Sequence, residues 1–523
     1  MKNDFVVKIL FLSLIAISLL LLPITMRLTG YFVSVSGSGM NLTMWYQGDE
    51  KGGFISSYKS LPVNFYTNLT NSSSGEPING SGTYCEISFN ISSTYIGPIN
   101  MSFNTASKLY EYEISFLTAG NHTWNVTCDA TSLGYGTLSG EDNMTIKELP
   151  EWWDVNWHYR VGLEINNTGY ERKNWPVEYE INFTKVLQDI NVSGTFDENS
   201  TRVIEYNSTG SVLHELPSQF DKGGDYDPTT NAVGTLVFEM NGTTQADEIR
   251  YFYIYFDMTE NGNKNEANYS TNLSYNYTGN VSEFNVNNSL FRWWVDTERG
   301  ENTSGIYHVI DQGTENEILR VDPSDNKTVE YSKFSNATDT FGFDLRDNAT
   351  FKHVGPVRIV IEQKGEEIFW NQPDNKTNEG YLIKRYTFYR DIDWMKIEQI
   401  FVNNASYNIT RNSTVAGALA LDVNYSMDLP GGVDNYPNMS NPNDPGSYGW
   451  VAREDGQTFV GIVNIYENGT NKFFGLEDSS IRRIGIQLNE TNITVGNSIK
   501  HVAYLQFNGS GEAGQENYFL AFV

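Results

Sequence analysis

Apolar and polar residues alternate with a period of two along much of this chain, and turn residues break the alternation at short intervals. Such a chain is restricted to β-structure. In YCEISFNI, Cys85, Ile87 and Phe89 alternate with Glu86, Ser88 and Asn90. In YEYEISF, Tyr110, Tyr112, Ile114 and Phe116 share a face, and in HTWNVTC, Trp124, Val126 and Cys128 oppose Asn125 and Thr127. Ala119-Gly120-Asn121 supplies a turn between them. Further on, VGLEIN, WPVEYEINF, TRVIEY, GTLVFEM and RYFYIYF read as core strands; the last is apolar on both sides and belongs at the centre of a sheet. From about residue 284 the strands are long and many, among them FRWWVDT, VRIVIEQ, YLIKRYTFYR, WMKIEQIFV, TFVGIVNIY and KHVAYLQF. The expected fold class is all-β.

The one segment outside this pattern is Ile9–Met26, eighteen residues without a charge between Lys8 and Arg27. As a helix it would reach about 27 Å, enough to cross a bilayer's hydrocarbon core. The loose cleavage-site candidate Ser34-Val35-Ser36 lies well downstream, so retention as a signal anchor is favoured over cleavage and secretion. No Cys follows the apolar core, which excludes a lipoprotein-type anchor. Lys2 and Lys8 outweigh Asp4 on the N-terminal flank and place the N-terminus in the cytoplasm, an asymmetry that Arg27 weakens.

Orientation is read better from Asn-x-Ser/Thr sequons, which occur about 34 times from Asn41 to Asn508, where random placement would give roughly ten. None precedes the apolar segment. Asn90, Asn125, Asn166 and Asn182 fall on the polar faces of their strands, and Asn272, Asn276 and Asn408 lie in further sequons, so attached glycans would stand in solvent. The chain reads as a densely N-glycosylated cell-surface protein with its C-terminal ectodomain outside. Sequon density, few cysteines and a retained anchor point to an archaeal envelope, with eukaryotic secretion as the other reading.

The residues beyond 30 are too many for one core and enough for three domains. The boundaries expected are 1–30 for the anchor, 31–147, 148–283 and 284–523. Leu149-Pro150 opens the second boundary, followed by EWWDVNWHYR; the sequon-rich stretch Asn261–Asn288 reads as a glycosylated linker or exposed loop. Cys85 and Cys128 are the only cysteines, both on inward faces of strands, and a disulfide between them is expected. A net charge of −29 with no basic patch argues against nucleic acid as a partner. Partners expected instead are the membrane, surface glycans and other envelope proteins.

The run from Gly120 to Cys128, Gly-x-His-x-Trp-x-Val-x-Cys, resembles the endings of immunoglobulin-like modules in bacterial and archaeal surface proteins, which implies a sandwich for 31–147. It departs from antibody domains because Trp124 shares the strand of the second Cys and no tyrosine corner precedes Cys128. Trp157-x-Tyr159-Arg160, Arg202-Val203-Ile204-Glu205, Pro217-x-Gln219-Phe220 and Arg250-Tyr251-Phe252-Tyr253 resemble a small β-sandwich or barrel of the kind that precedes the large sandwich in polysaccharide-active proteins. Gly355-Pro356-Val357-Arg358, the aromatic strand Tyr381–Arg390 and Asp393-Trp394-Met395-Lys396-Ile397 resemble the two-sheet supersandwich of galactose mutarotase-like domains, the C-terminal body of many polysaccharide lyases and some glycoside hydrolases.

That resemblance implies either a carbohydrate-binding or a carbohydrate-cleaving role. Cleavage needs a base or a pair of carboxyl groups converging in a cleft. Among 6 His residues, His308 and His353 lie in early strands of the last unit, where Tyr307, Arg385 and Tyr389 are the groups to join them. Trp293, Trp294, Trp370 and Trp394 are candidate stacking platforms for sugars. A lone His on a strand is more often structural, aromatic strands more often pack a core, and the paired His with a downstream Glu of mutarotases is not recoverable. Nor is there a Gly-x-Ser-x-Gly elbow, a His-Glu-x-x-His or a phosphate-binding loop. Asp221, Asp225 and Asp227, and Asp434 and Asp444, supply oxygens of the type a structural Ca²⁺ takes, while Asx-turns explain the same composition without metal. The leading expectation is a non-enzymatic structural, adhesive or carbohydrate-binding surface protein; the alternative is a surface polysaccharide lyase or glycoside hydrolase.

Overall fold

The computed structural model describes residues 7–10, 33–47, 57–91, 94–276, 283–296, 305–313, 315, 317–320, 330–331, 334–345, 349–369, 372–411, 419–422, 426–428, 450–454, 459–465, 471–477, 482–488 and 491–507. Strands dominate throughout, as the alternation requires, with one short α-helix among the described residues.

The first unit is a pair of five-stranded sheets. One contains Met40–Tyr46, Pro62–Asn71 and Leu109–Ser115 at its centre; the other contains Tyr84–Ile91, Gly120–Asp129 and Thr137–Lys147. Inward residues of both sheets, such as Leu42, Phe65, Phe89 and Trp124, share one core. The Phe65 ring meets Phe89 and Trp124 edge-on at 5.1 and 4.9 Å, contacts that add about 0.5–1.5 kcal/mol each to simple burial. Cys85 and Cys128 are direct cross-strand partners and are disulfide-bonded. The bond therefore staples two neighbouring strands of one sheet, whereas the antibody disulfide joins two sheets.

In the second unit Glu248–Met258 lies between Tyr159–Asn167 and Phe196–Tyr206, the central place its two-sided apolarity predicts. Its Phe252, Ile254 and Phe256 enter a core shared with a three-stranded sheet of Arg172–Asn182, Val233–Thr244 and Ser218–Lys222. Its other face carries Tyr253 and Tyr255, over which Trp153 and Trp157 pack. The crowded tryptophans after Pro150 thus cap a sheet. The sequence reads WPVEYEINF as strand to its end; the strand stops at Asn182, whose side chain accepts the Lys185 N–H at 3.0 Å and caps the helix Phe183–Asp189. Burial of Phe183, Val186 and Leu187 outweighs the local β pattern.

Val7–Leu10 pairs antiparallel with Gly162–Ile165. Ile9 and Leu10 are therefore extended where the expected membrane helix would begin; the rest of Ile9–Met26 lies outside the described residues. Among the described residues no helix is long and apolar enough to cross a membrane.

The C-terminal unit holds a five-stranded sheet from Ser274–Asn276 to Glu317–Arg320 and a ten-stranded sheet. The long strands Arg358–Phe369, Gln372–Tyr389, Trp394–Asn403 and Ser498–Phe507 run through the middle of the larger sheet. The stretch expected as a glycosylated linker or exposed loop is largely exposed and is fastened on both sides. Asn265 O accepts from Arg202 Nη2 at 2.8 Å, Tyr269 donates to Glu215 at 2.6 Å, and Thr271 donates to Pro356 O at 2.8 Å.

Candidate functional site

The three-stranded sheet of the second unit has two faces of opposite character. Val177, Tyr179, Ile181, Leu236, Phe238 and Phe220 point to the core, so the alternate residues Glu178, Gln219, Asp221 and Glu239 occupy the other face. That face meets the ten-stranded sheet of the C-terminal unit. Gln219 Oε1 accepts the backbone N–H groups of Val357 and Arg358 at 2.9 and 2.8 Å, and its Nε2 donates to Asp221 Oδ1 at 2.8 Å. A Cβ at Gly355 would collide with the Gln219 amide, which is why glycine opens the Gly355-Pro356-Val357-Arg358 turn. Two motifs read separately from the sequence, Pro217-x-Gln219-Phe220 and this one, are the two halves of one joint.

Charge completes it. Arg358 Nε donates to Asp221 Oδ2 at 2.7 Å, and its Nη1 pairs with Glu178. Glu178 also accepts from the Tyr389 hydroxyl and, at 3.4 Å, from Lys396 Nζ. Burial pushes the Glu178 carboxyl up, but Arg358, Lys396 and Tyr389 outweigh it and hold it down to about 2. Burial likewise opposes the charge on Arg358, yet Glu178, Tyr389 and Asp221 raise it above the ordinary guanidinium value. Tyr389 is pushed well up by burial and by the negative Glu178 beside it. Glu239 behaves oppositely: burial dominates over Arg390, whose Nε lies 3.1 Å away, and Asp391 adds to the rise, to about 7. Glu178 pairs with Val237 and Glu239 with Pro176, so the two carboxyl groups are diagonal neighbours on one face.

His353 stands at the rim of this cluster, with Nδ1 3.7 Å from Asp221 Oδ1 and 29% of its side chain exposed. Burial lowers its pKa more than Asp221 raises it. Two of the candidates for catalysis, His353 and Tyr389, are therefore gathered with Arg358 and two carboxylates, but the polar groups are engaged with one another. Arg385 sits apart in a cross-strand pair, donating to Glu362 at 2.7 Å. His308 lies elsewhere, its ring stacked on Trp294 at 4.5 Å in the five-stranded sheet. Tyr307 is in the same strand, its side chain outside the described residues.

Two of the expected stacking platforms are not open surfaces. Trp293 is fully buried against Phe291 and Phe388, because its strand face is the core face. Trp394 is 3% exposed, enclosed by Trp175, Tyr389 and Tyr504 at 5.3, 4.9 and 5.3 Å, and forms the aromatic flank of the joint. Trp294 is half-buried under His308, and Trp370 lies outside the described residues. Among the carboxylates named for Ca²⁺, Asp221 is engaged by Arg358 and Gln219, and Asp227 Oδ1 accepts from Thr229 N, Thr230 N and the Thr230 hydroxyl in an Asx-turn. The Asp225 carbonyl accepts from Asn231. Asp434 and Asp444 lie outside the described residues, and among the described residues no group of three or more His, Cys, Asp or Glu is placed to hold a metal ion. Sequence reasoning missed Glu178 and Glu239 as site residues, although the polar alternation of WPVEYEINF and GTLVFEM signalled them, and it read Gln219 only as part of a fold motif.

The asparagines divide sharply. Asn90, Asn272, Asn276 and Asn408 are exposed, Asn125, Asn166 and Asn182 half-buried, and none of the described sequon asparagines is buried. Among the described residues the buried asparagines, Asn167, Asn288 and Asn403, all lack a Ser or Thr two residues on, and each spends its amide on backbone carbonyls.

No family model and no curated protein matches the chain. Solved structures similar to it include an α-mannosidase from Enterococcus faecalis V583, with 13% identity and a TM-score of 0.40 over 71% of this chain and 45% of that one. A protein of glycosyl hydrolase family 38 from Enterococcus faecalis gives 13% identity and a TM-score of 0.40 over 71% and 46%. An α-galactosidase of family GH36 from Geobacillus stearothermophilus gives 10% and 0.32 over 45% and 41%. The chain spans less than half the length of these structures.

Proposed function

We propose that this chain is a densely N-glycosylated cell-surface protein, anchored in the membrane by the apolar residues that follow Leu10, with a structural, adhesive or carbohydrate-binding role. The observation that supports it is the partition of asparagines. If sequons were accidents of an Asn- and Thr-rich composition, buried asparagines would fall in them as freely as exposed ones do. Its charged joint suits a stiff projecting body, because Glu178 and Asp221 are balanced by Arg358 and Lys396 and the Tyr389 hydroxyl donates to Glu178. The test is intact-mass measurement of the full protein from its native membrane, followed by retention of the same material on a glycan array. Retained N-terminal residues and added glycan mass are expected; an unmodified mass would refute the glycoprotein reading, and removal of the first 36 residues would refute the anchor. Absence of retention on the array would leave the structural role.

A surface polysaccharide lyase or glycoside hydrolase is the second reading, and one arrangement favours it. Glu178, held ionised, and Glu239, half-protonated near neutral pH, are diagonal neighbours on one sheet face, the division of labour that acid–base cleavage of a glycosidic bond uses. Release of reducing ends or unsaturated products from plant and microbial polysaccharides, abolished by Glu239→Gln, is the outcome that would establish it.

A further inference from the structure

Between the first unit and the second lies a narrow cleft, open to solvent on one side, lined by Tyr58 and Lys147 from one and by Glu164, Asn207, Tyr251 and Tyr253 from the other. Asn207 begins the sequon Asn207-Ser208-Thr209 in the tight turn between Phe196–Tyr206 and Val212–Leu216. Its Oδ1 accepts from Thr209 N at 3.0 Å, the Thr209 hydroxyl at 2.7 Å and Ser211 N at 2.9 Å. With the oxygen fixed by three donors, Nδ2 is the atom available for a covalent bond. The same turn presses on the linker between the units: Glu151 N donates to Gly210 O at 2.8 Å, and a Cβ at Gly210 would come within 2.8 Å of Pro150 Cα. Lys147 Nζ lies over the Tyr251 ring at 5.8 Å, so the first unit already reaches across to the tyrosine wall.

We propose that Asn207 is glycosylated and that the first sugars of its glycan fill this cleft and brace the two units against each other. This rests on the surface-glycoprotein reading and assigns one sequon a structural task. A pyranose presents C–H faces that pack on tyrosine rings and hydroxyls that bond to carboxylates, amides and ammonium groups. Tyr251 offers a ring face and Lys147 an ammonium donor to a sugar rooted at Asn207. The linkage step balances with a lipid-phosphate-linked glycosyl donor: Asn207 Nδ2 forms a bond to the sugar C1, the C1–O bond to phosphate breaks, the lipid phosphate leaves with the electron pair, and the amide proton passes to solvent.

The experiment compares full-length protein made in a host that N-glycosylates with the same protein from one that does not, by glycopeptide mass spectrometry and by the rate of glutamyl-endopeptidase cleavage after Glu148 and Glu151. Occupancy at Asn207 is expected, with linker cleavage slowed roughly fivefold in the glycosylated form. Asn207→Gln and Thr209→Ala should each erase that host-dependent difference, and Tyr251→Ala should keep the glycan while losing most of the protection. An unmodified Asn207 among other occupied sequons would overturn the inference alone, as would a host-dependent difference that persists in both sequon variants. No occupied sequon anywhere would overturn the surface-glycoprotein reading itself.

Discussion

Asp221 and Arg358, separated by 137 residues, meet through a 2.7 Å bond from Nε to Oδ2 and hold the second unit to the C-terminal one. Removing one partner of such a pair leaves the others buried without compensation, which costs about 3–5 kcal/mol. Arg358→Met is expected to lower the unfolding free energy by that amount, read as a lower urea midpoint, since it strands Glu178 and Asp221 together. A triple variant with Glu178→Gln and Asp221→Asn as well should recover much of the loss, because the uncompensated charge is then gone. Equal midpoints for wild type and Arg358→Met would show that the joint does not hold the units.

The two glutamates of the joint give opposite pH limbs. Glu178 is depressed from 4.5 to about 2, so the stability from its ionised form is fully present above 4.5 and is lost as pH falls toward 2. Glu239 is raised from 4.5 to about 7, so its contribution is present below 4.5 and is lost as pH rises through 7. His353, lowered from 6.5, adds to the acid limb, since its neutral form is the one the fold favours. Melting temperatures recorded from pH 3 to 9 should fall at both ends. Glu239→Gln should flatten the alkaline limb and leave the acid one; an unchanged alkaline limb would remove Glu239 from the account.

The disulfide closes a loop with a sequence separation of 43, which stabilises by about 4 kcal/mol in the chain-entropy description. Cys85→Ala with Cys128→Ala should cost the first unit that much. Hydrogen exchange should accelerate across Tyr84–Ile91 and Gly120–Asp129 and stay at the wild-type rate in Arg358–Phe369, which lies in a different sheet. Uniform acceleration would mean that the units unfold together.

What the sequence disclosed and what it withheld follow from the range of the forces involved. Strand identity is local, so the alternation around Cys85, Trp124 and Val126 and the two-sided run at Tyr251–Phe256 could be read directly. The disulfide needed only two inward-facing cysteines. The joint was not legible, because Gln219 recognises Val357 and Arg358 across 138 and 139 residues, and nothing near Gln219 announces its partner. Trp293 and Trp394 misled for the same reason: an aromatic on a strand looks alike whether its face meets solvent, a core or another unit. His353 was singled out for its neighbours in sequence, and its actual neighbour is Asp221 from a different unit. The helix at Phe183 was hidden because packing overrode a β-like pattern, with Asn182 as the one local clue.

A second buried ion group tests whether such devices recur inside the large sheet. Arg411, 1% exposed, donates to both oxygens of Glu367 at 2.6 Å from Nε and Nη2, reaches Glu379 at 2.5 Å, and lies over the Phe341 ring at 4.3 Å. Glu379 is further held by the Tyr407 hydroxyl at 2.6 Å, so the group ties Ile409–Arg411 to the sheet across Glu367. The planar fork matches a carboxylate in a way that a lysine ammonium cannot. Arg411→Lys, although it keeps the charge, should therefore destabilise by about 2 kcal/mol or more, and Arg411→Met by about 3–5 kcal/mol, as one bidentate partner is lost and Glu367 is left buried. Exchange at Ile409–Arg411 and at Thr340–Asp344 should rise in both variants. If Arg411→Lys matched wild type in midpoint and exchange, charge alone would suffice and the bidentate geometry would have no energetic role.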